Sequence, residues 1–200
     1  MSDPLKTDRT IDIIPPGVLL HAYRNGLFPM AHEDGGLYWH DPDPRAVFPL
    51  NELRPDRKTA QQLRSVRLKV TFDQRFDEVI RACADREGTW IDERIIASYI
   101  NLHRSGHAHS VEVWREDVLA GGIYGVSIGA AFFGESMFSR SNNMGKVAFF
   151  ALVEHLQKNG FTLFDTQYIN PFTEQLGAIE IRKENYLSQL SASVLLPVVF

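Results

Sequence analysis

The chain has 200 residues, of which 44% are hydrophobic, and a formal net charge of −4. This length and composition predict a globular protein of one or two domains with a substantial core. The negative charge excludes a general polycation and confines any contact with nucleic acid to a local basic patch.

Cysteine usage and the lack of targeting signals indicate the compartment. Cys83 is the single cysteine, so no disulfide can form within the chain, which favours a reducing environment. The N-terminus, MSDPLKTDRT, lacks the apolar core of a signal peptide. No apolar run approaches the ~20 residues that a membrane span requires. We therefore expect a cytoplasmic protein with no membrane partner.

A short helix and two strands are predicted first. The helix covers VLLHAYRNG, with Pro16 near its first turn and Gly26 at its end. The strands lie on either side of the rigid turn DPDPR. Arg45 leaves this turn on a stiff support, where it could hold a phosphate or carboxylate, or pair with Asp41 or Asp43.

A basic segment follows, with only Asp56 opposing it. It is either a solvated helix face or a phosphate-binding surface. Its basic residues are Arg54, Arg57, Lys58, Arg64, Arg67 and Lys69.

The remaining pattern alternates helices with an antiparallel meander. Helices are predicted over 72–85 and 93–104, with Asp73 and Asp92 as N-caps. HAHSVEVWRED and LAGGIYGVSIGAAFFGESMF then read as strands. A helix over 145–158, the strand FTLFDTQ, and a short helix and strand in FTEQLGAIEI complete an α+β arrangement.

The stretch AAFFGESMFSR, residues 130–140, interrupts an apolar strand with glycine and polar residues. A pocket with apolar walls and a few placed polar groups would need this pattern. An edge strand with a bulge at Gly134 would explain it equally well.

A metal site is a weaker hypothesis. His103, His107, His109 and Glu112 lie close in sequence, and histidine is a common zinc ligand. However, no H-E-x-x-H motif is present and Cys83 stands alone, so we expect no metal.

Eight motifs occur in the order and spacing of one family: GLFPM, WHDPDPR, TWI, GHAHSVEVW, GGIYGV, GESMFSR, LFDTQ and LGAIEI. From about residue 26 to 186 the chain resembles the leucyl/phenylalanyl-tRNA–protein transferases. The resemblance implies a small N-terminal domain, residues 1–62. It also implies a domain over 63–200 with the fold of the GCN5-related acetyltransferases, a mixed sheet flanked by helices.

The same resemblance implies the reaction. Leucine or phenylalanine, with methionine left open, moves from aminoacyl-tRNA to proteins that begin with Arg or Lys, which marks them for degradation. That acetyltransferase fold binds pyrophosphate through a Q/R-x-x-G-x-G/A loop. The matching segment here is SRSNNMGK, so we expect no acetyl-CoA and no other cofactor.

Site residues are also implied by the resemblance. Asp165 and Gln167 match the proposed catalytic pair, in which Asp165 would orient and polarise Gln167, whose carbonyl oxygen would accept a hydrogen bond from the attacking amine. Trp39-His40 stands where the family usually has two tryptophans. The predicted substrate-binding residues are Trp39, His40, Trp90, Ile123, Phe132, Gly134, Glu135, Met137, Ser139, Leu152 and Phe164. The predicted tRNA contacts are Arg45, Arg54, Arg57, Lys58, Arg64 and Arg67.

Two further functions remain open from the sequence. A non-catalytic binder of tRNA ends or N-terminal peptides would not need an intact D-x-Q motif. A transferase acting on acidic N-termini would resemble a different family with clustered cysteines, which this chain lacks.

Overall fold

The computed structural model describes residues 13–200, and the N-terminal segment judged to lack a signal peptide lies outside this range. Within it the chain forms seven helices and nine strands. The helices are α1 (Pro16–Arg24), α2 (Arg57–Leu63), α3 (Phe76–Ala84), α4 (Glu93–Arg104), α5 (Met144–Asn159), α6 (Pro171–Gln175) and α7 (Lys183–Ser193). The strands are β1 (Phe28–Ala31), β2 (Leu37–His40), β3 (Arg45–Phe48), β4 (Leu68–Phe72), β5 (Ala108–Arg115), β6 (Val118–Ile128), β7 (Ala131–Ser139), β8 (Leu163–Gln167) and β9 (Ile179–Ile181).

Seven strands form one mixed sheet in the order β4-β5-β6-β7-β8-β3-β9, and β1 and β2 form a separate hairpin. The pairs are antiparallel except β7 and β8, which run parallel. The predicted α+β class with a mixed sheet flanked by helices is confirmed. The domain boundary at residue 62 stays a prediction, and the large sheet takes β3 from the N-terminal side of it.

The sheet is covered by an apolar layer on each side. Each fully buried apolar side chain contributes roughly 1.5–3 kcal/mol to folding. The layer under α1, α3 and α4 includes Leu19, Tyr23, Val79, Ile80, Ile95, Tyr99, Val126 and Phe133. The layer under α5 includes Phe48, Ile123, Phe132, Val147, Leu152, Leu156 and Phe164.

Most predicted helix ends are confirmed. Pro16 is the first residue of α1, and the Asp92 carboxylate accepts from two backbone N–H groups at the start of α4. Gly160 ends α5 with a φ of 81°, in the left-handed region that glycine tolerates. No helix in the described residues is both long and apolar enough to cross a membrane.

The predicted N-cap at Asp73 is wrong. Helix α3 begins at Phe76, three residues later. The Asp73 carboxylate instead accepts from the backbone N–H of Ser110 at 2.8 Å and bonds Nδ1 of His109 at 2.8 Å. It therefore ties the end of β4 to β5.

Three of the four residues considered for a metal site bond other protein groups through their side chains: His103, His109 and Glu112. His103 Nδ1 bonds the carbonyl oxygen of Ala108 at 2.7 Å. The buried Glu112 carboxylate accepts from the hydroxyls of Thr71 and Ser110, each at 2.6 Å. The part of the chain that the structure describes contains no group of three or more His, Cys, Asp or Glu residues placed to hold a metal ion.

Candidate active site

The site lies where two neighbouring strands separate. β7 and β8 pair only from Ala131 with Leu163 to Phe133 with Asp165. Beyond that point β7 stays with β6, while β8 stays with β3. A cavity of about 270 Å³ opens between them. It is lined by Phe28, Met30, Phe48, Arg86, Trp90, Ile123, Gly134, Glu135, Ser136, Met137, Phe164, Thr166, Gln167, Tyr168, Asn170, Phe172 and Thr173.

A β-bulge in β7 turns a carboxylate into this cavity. Tyr124 pairs with Ser136 and Gly125 pairs with Gly134, so Glu135 is an extra residue with no partner on β6. A bulge re-aims side chains next to the extra residue. The alternative interpretation, an edge strand with a bulge, was therefore right about the bulge. However, β7 is a central strand, and the bulge lines the cavity. Gly134 has no room for a side chain, because a Cβ there would lie 2.8 Å from Phe164.

Glu135 is contacted by three polar side chains from three elements. Tyr23 Oη in α1 donates to Oε1 at 2.7 Å, and Tyr99 Oη in α4 lies 3.3 Å from Oε2. Gln167 Nε2 in β8 donates to Oε1 at 3.1 Å. Burial raises the pKa of Glu135 to about 8, aided by the negative charge of Asp165 and opposed by the two tyrosine hydroxyls and Arg45. The carboxylate therefore changes charge near neutral pH.

Gln167 stands at the floor of the cavity in a fixed orientation. Its φ of 63° lies in the left-handed region, which is uncommon for a residue with a side chain and is typical of functional sites. Because Nε2 donates to Glu135, the amide orientation is set. The carbonyl oxygen, Oε1, has no hydrogen-bond donor among residues 13–200 and can accept from a substrate amine.

Asp165 supports Gln167 through the backbone. Its Oδ1 accepts from the Gln167 backbone N–H at 2.9 Å, and its side chain is fully buried. Arg45 Nε and Nη2 donate to the two carboxylate oxygens at 2.9 and 2.7 Å, and Tyr186 Oη donates to Oδ2 at 2.7 Å. Asp165 therefore contacts the backbone of Gln167 and makes no hydrogen bond with its side-chain amide, and its orienting role stays a prediction.

Arg45 is fully buried, so the prediction that it contacts tRNA needs correction. Its guanidinium lies between the rings of Phe28 and Tyr186, at 4.9 and 4.5 Å, and Nη1 donates to the carbonyl oxygen of Gly26 at 2.8 Å. Arg45 does form a salt bridge, as the alternative interpretation predicted, but its partner is Asp165 and not Asp41 or Asp43. No phosphate can reach this group, and we reassign Arg45 to the support of Asp165.

The structure brings together part of the predicted substrate site. The cavity wall includes six of the predicted residues, namely Trp90, Ile123, Gly134, Glu135, Met137 and Phe164. Phe132 and Leu152 are fully buried behind this wall. Ser139 is exposed and accepts from the backbone N–H of Gly145 at the start of α5.

The Trp39-His40 pair divides between two surroundings, because neighbouring strand residues face opposite sides. His40 Nδ1 bonds the hydroxyl of Tyr168 at 2.9 Å and its ring stacks on Phe28, so it supports two residues of the cavity wall. Burial lowers the pKa of His40. The Trp39 side chain is 41% exposed and does not line the cavity.

The sequence did not indicate the tyrosines that contact the site from elements distant in the chain. Tyr23 and Tyr99 lie on the buried faces of α1 and α4, and their hydroxyls also bond each other. Tyr186 in α7 reaches Asp165. A buried tyrosine hydroxyl needs a hydrogen-bond partner, so tyrosines on the apolar faces of amphipathic helices were the available signal.

We expect Met137→Ala to weaken transfer with little loss of stability. Met137 is partly buried and lines the cavity, so truncation removes a flexible apolar group from the cavity wall and little from the core. Steady-state transfer and melting temperature check this. Leu152→Ala, in the core behind the wall, is the control and should cost about 2–5 kcal/mol of stability. A similar stability loss in both variants would make Met137 a core residue.

The fold and the cavity define an α+β protein with an enzyme-type site, in which polar groups meet at the floor of an apolar cavity. The sequence profile described as leucyl/phenylalanyl-tRNA protein transferase matches residues 47–191, and that of the corresponding N-terminal domain matches residues 13–43. The chain belongs to the leucyl/phenylalanyl-tRNA protein transferase family, as its motifs predicted.

Curated relatives named leucyl/phenylalanyl-tRNA–protein transferase match over nearly the whole chain. The relative from Gloeobacter violaceus is 47% identical over 188 residues, covering 94% of this chain and 97% of its own. The relative from Ruegeria pomeroyi is 48% identical, with coverage of 90% and 87%. Among solved structures, a GCN5-related N-acetyltransferase-like protein from Streptococcus suis aligns with 83% of this chain and 64% of its own, at 13% identity and a TM-score of 0.42.

Proposed function

We propose that this protein transfers leucine or phenylalanine from aminoacyl-tRNA to the α-amino group of proteins that begin with Arg or Lys, and that it does so in the cytoplasm. The observation that carries the proposal is the opening between β7 and β8. It places the amide of Gln167 and the carboxylate of Glu135 at the floor of an apolar cavity. Family membership supports the donor and the reaction.

The chemistry needs little beyond positioning. The donor is already an activated ester, and its apolar aminoacyl side chain suits walls formed by Ile123, Met137 and Phe164. The attacking amine must lie close to the ester carbonyl, and alignment alone can supply up to about 7–11 kcal/mol of the barrier. The free carbonyl oxygen of Gln167 provides the hydrogen-bond acceptor that would align it. Discrimination against other apolar side chains rests on shape and is therefore modest.

The direct test is transfer of radiolabelled leucine from Leu-tRNA to a peptide that begins with Arg. Matched peptides beginning with Lys, Ala and Asp, and an N-acetylated Arg peptide, are the controls. We expect label in the Arg and Lys peptides and none in the acetylated one. Label in the Asp peptide alone would overturn the acceptor proposal. Binding of aminoacyl-tRNA without transfer to any peptide would make the protein a binder.

We propose that the basic segment before β4 contacts the tRNA backbone. Arg54, Arg57, Lys58, Arg64 and Arg67 are all exposed. None of them forms an ion pair with another residue in the range that the structure describes. They are therefore free to neutralise phosphates.

Neutralising Arg57 and Lys58 with glutamine should weaken tRNA binding and flatten its salt dependence. Each lost phosphate contact reduces the magnitude of the negative slope of log K against log salt by roughly 0.7–0.9. Filter binding over a salt series measures this slope. The matched control is Arg104→Gln with Lys158→Gln, a pair of exposed cations on other helices. Equal slopes for the two double variants would remove the segment from the tRNA footprint.

A further inference from the structure

We propose that Glu135 is the base that removes a proton from the ammonium group of the acceptor, beside the Gln167 amide that aligns the resulting amine. The inference rests on the proposed function and adds a destination for the proton. Gln167 cannot fill this role, because an amide oxygen accepts hydrogen bonds but is a poor proton acceptor. Among the carboxylates of the described residues, Glu135 is the one that lines the cavity.

The two carboxylate oxygens of Glu135 accept unequal numbers of hydrogen bonds. Oε1 accepts from Tyr23 at 2.7 Å and from Gln167 at 3.1 Å, which accounts for its two lone pairs. Oε2 has only the contact with Tyr99, at the longer distance of 3.3 Å. Oε2 therefore keeps the capacity to accept a proton from a group in the cavity. Because Gln167 Nε2 touches the same carboxylate, an amine bonded to Gln167 Oε1 stands within reach of Glu135.

The surroundings of Glu135 bring its proton affinity close to that of a peptide amine. It faces the hydroxyls of Tyr23 on α1 and Tyr99 on α4, and the Arg45–Asp165 pair on β3 and β8. Its charge also acts on Tyr124 of β6, and Arg86 after α3 lines the same cavity. The pKa of Glu135, at about 8, is near the ~7.7–8.0 of an α-amino group. Transfer between the two groups is therefore nearly balanced, the condition under which acid–base catalysis is effective.

The protons of the reaction balance with this single base. The acceptor ammonium gives one proton to Glu135 and becomes a neutral amine. The amine nitrogen then bonds the ester carbonyl carbon, the bond from that carbon to the ribose oxygen breaks, and the departing oxygen takes the second proton from nitrogen. Glu135 releases its proton to solvent through the open cavity after the product leaves.

A purely structural role makes a different prediction, and Glu135→Gln separates the two. Glutamine keeps the size of the side chain and an oxygen that accepts from Tyr23 and Gln167, but it cannot take a proton. We expect transfer at saturating substrates to fall by about 100-fold or more near pH 7. The loss should shrink toward about pH 9.5, because the free amine then enters without help. A loss that stays constant over this range would assign Glu135 to structure and overturn the proposal.

Two further measurements distinguish a failure of this proposal from a failure of the proposed function and from misfolding of the variant. Transfer by the unchanged protein must be seen first, so its absence would overturn the proposed function and not the role of Glu135. Tyr23→Phe removes the hydroxyl that most lowers the pKa of Glu135. The rising limb of the pH–rate profile should therefore move to higher pH in this variant. Tyr168→Phe is the control, because this hydroxyl bonds His40 and not Glu135. An unmoved limb in Tyr23→Phe contradicts the proposal.

Discussion

Arg45→Ala should lower the free energy of unfolding by about 3–5 kcal/mol, because it leaves the buried Asp165 carboxylate without its partner. Both side chains are at most 1% exposed, and the guanidinium makes two hydrogen bonds to this carboxylate. Urea unfolding measures the change, and the midpoint should fall while the slope stays constant. Transfer should fail as well, because Asp165 also holds the backbone of Gln167.

The Arg45 measurement has an internal control on the surface. Arg81→Ala breaks two exposed ion pairs, with Asp77 at 2.9 Å and with Glu93 at 3.2 Å, and each such pair contributes roughly 0–1 kcal/mol. The variant that replaces Arg45 by Met and Asp165 by Leu removes both buried charges and should regain part of the lost stability. The gain is incomplete because Tyr186 Oη and the Gln167 backbone N–H still lose their acceptor. A cost for Arg45→Ala no larger than that for Arg81→Ala would show that solvent reaches Asp165.

Gln167→Met should reduce transfer at saturating aminoacyl-tRNA by about 100-fold, because the attacking amine loses the acceptor that aligns it. Methionine has nearly the same length and shape, so the unfolding free energy should change little apart from the hydrogen bond to Glu135. Rapid-quench transfer and a tRNA-binding assay measure the two effects separately. Binding should stay near that of the unchanged protein, because Gln167 is assigned to the amine.

The structure also changes what is expected when both members of the D-x-Q pair are replaced. Asp165 acts on the backbone of Gln167 and on Arg45, so Asp165→Ala should cost stability that Gln167→Ala does not. The activity losses of the two variants should nevertheless add incompletely, because residues that act as a unit are not additive. Fully additive losses would mean that the two residues serve different steps. Near-normal turnover in Gln167→Met would remove the amide from the mechanism.

Local features of the fold were predictable, whereas the order of the strands was not. Helix α4 was predicted because its apolar spacing and the Asp92 cap lie within a dozen residues. By contrast, β3 lies between β8 and β9 in the sheet. That pairing joins segments far apart in the chain, and nothing local in RAVF indicates it. Asp73 was misassigned for a related reason, since its partners lie on β5.

The residues of the site also divide into those that lie in local motifs and those whose partners are distant in the sequence. Gln167, Glu135 and Met137 lie in short motifs, so the sequence indicated them. Their supports are distant: Tyr23 is separated from Glu135 by 112 residues and Arg45 from Asp165 by 120. Arg45 was assigned to tRNA because it leaves a rigid turn on a stiff support, where it could hold a phosphate. Its burial depends on a carboxylate that only the folded sheet brings close.

The extra residue in β7 separates the packing of this strand from the chemistry of the cavity. The halves of β7 on either side of Glu135 are out of phase by one position relative to β6. Deleting Glu135 would restore a continuous ladder, and Phe133 and Met137 would keep their partners Val126 and Ile123 and the layers that they face. The deletion would therefore preserve the packing of the sheet and remove only the carboxylate. Related chains that keep the extra residue should thus do so for the cavity and not for the core.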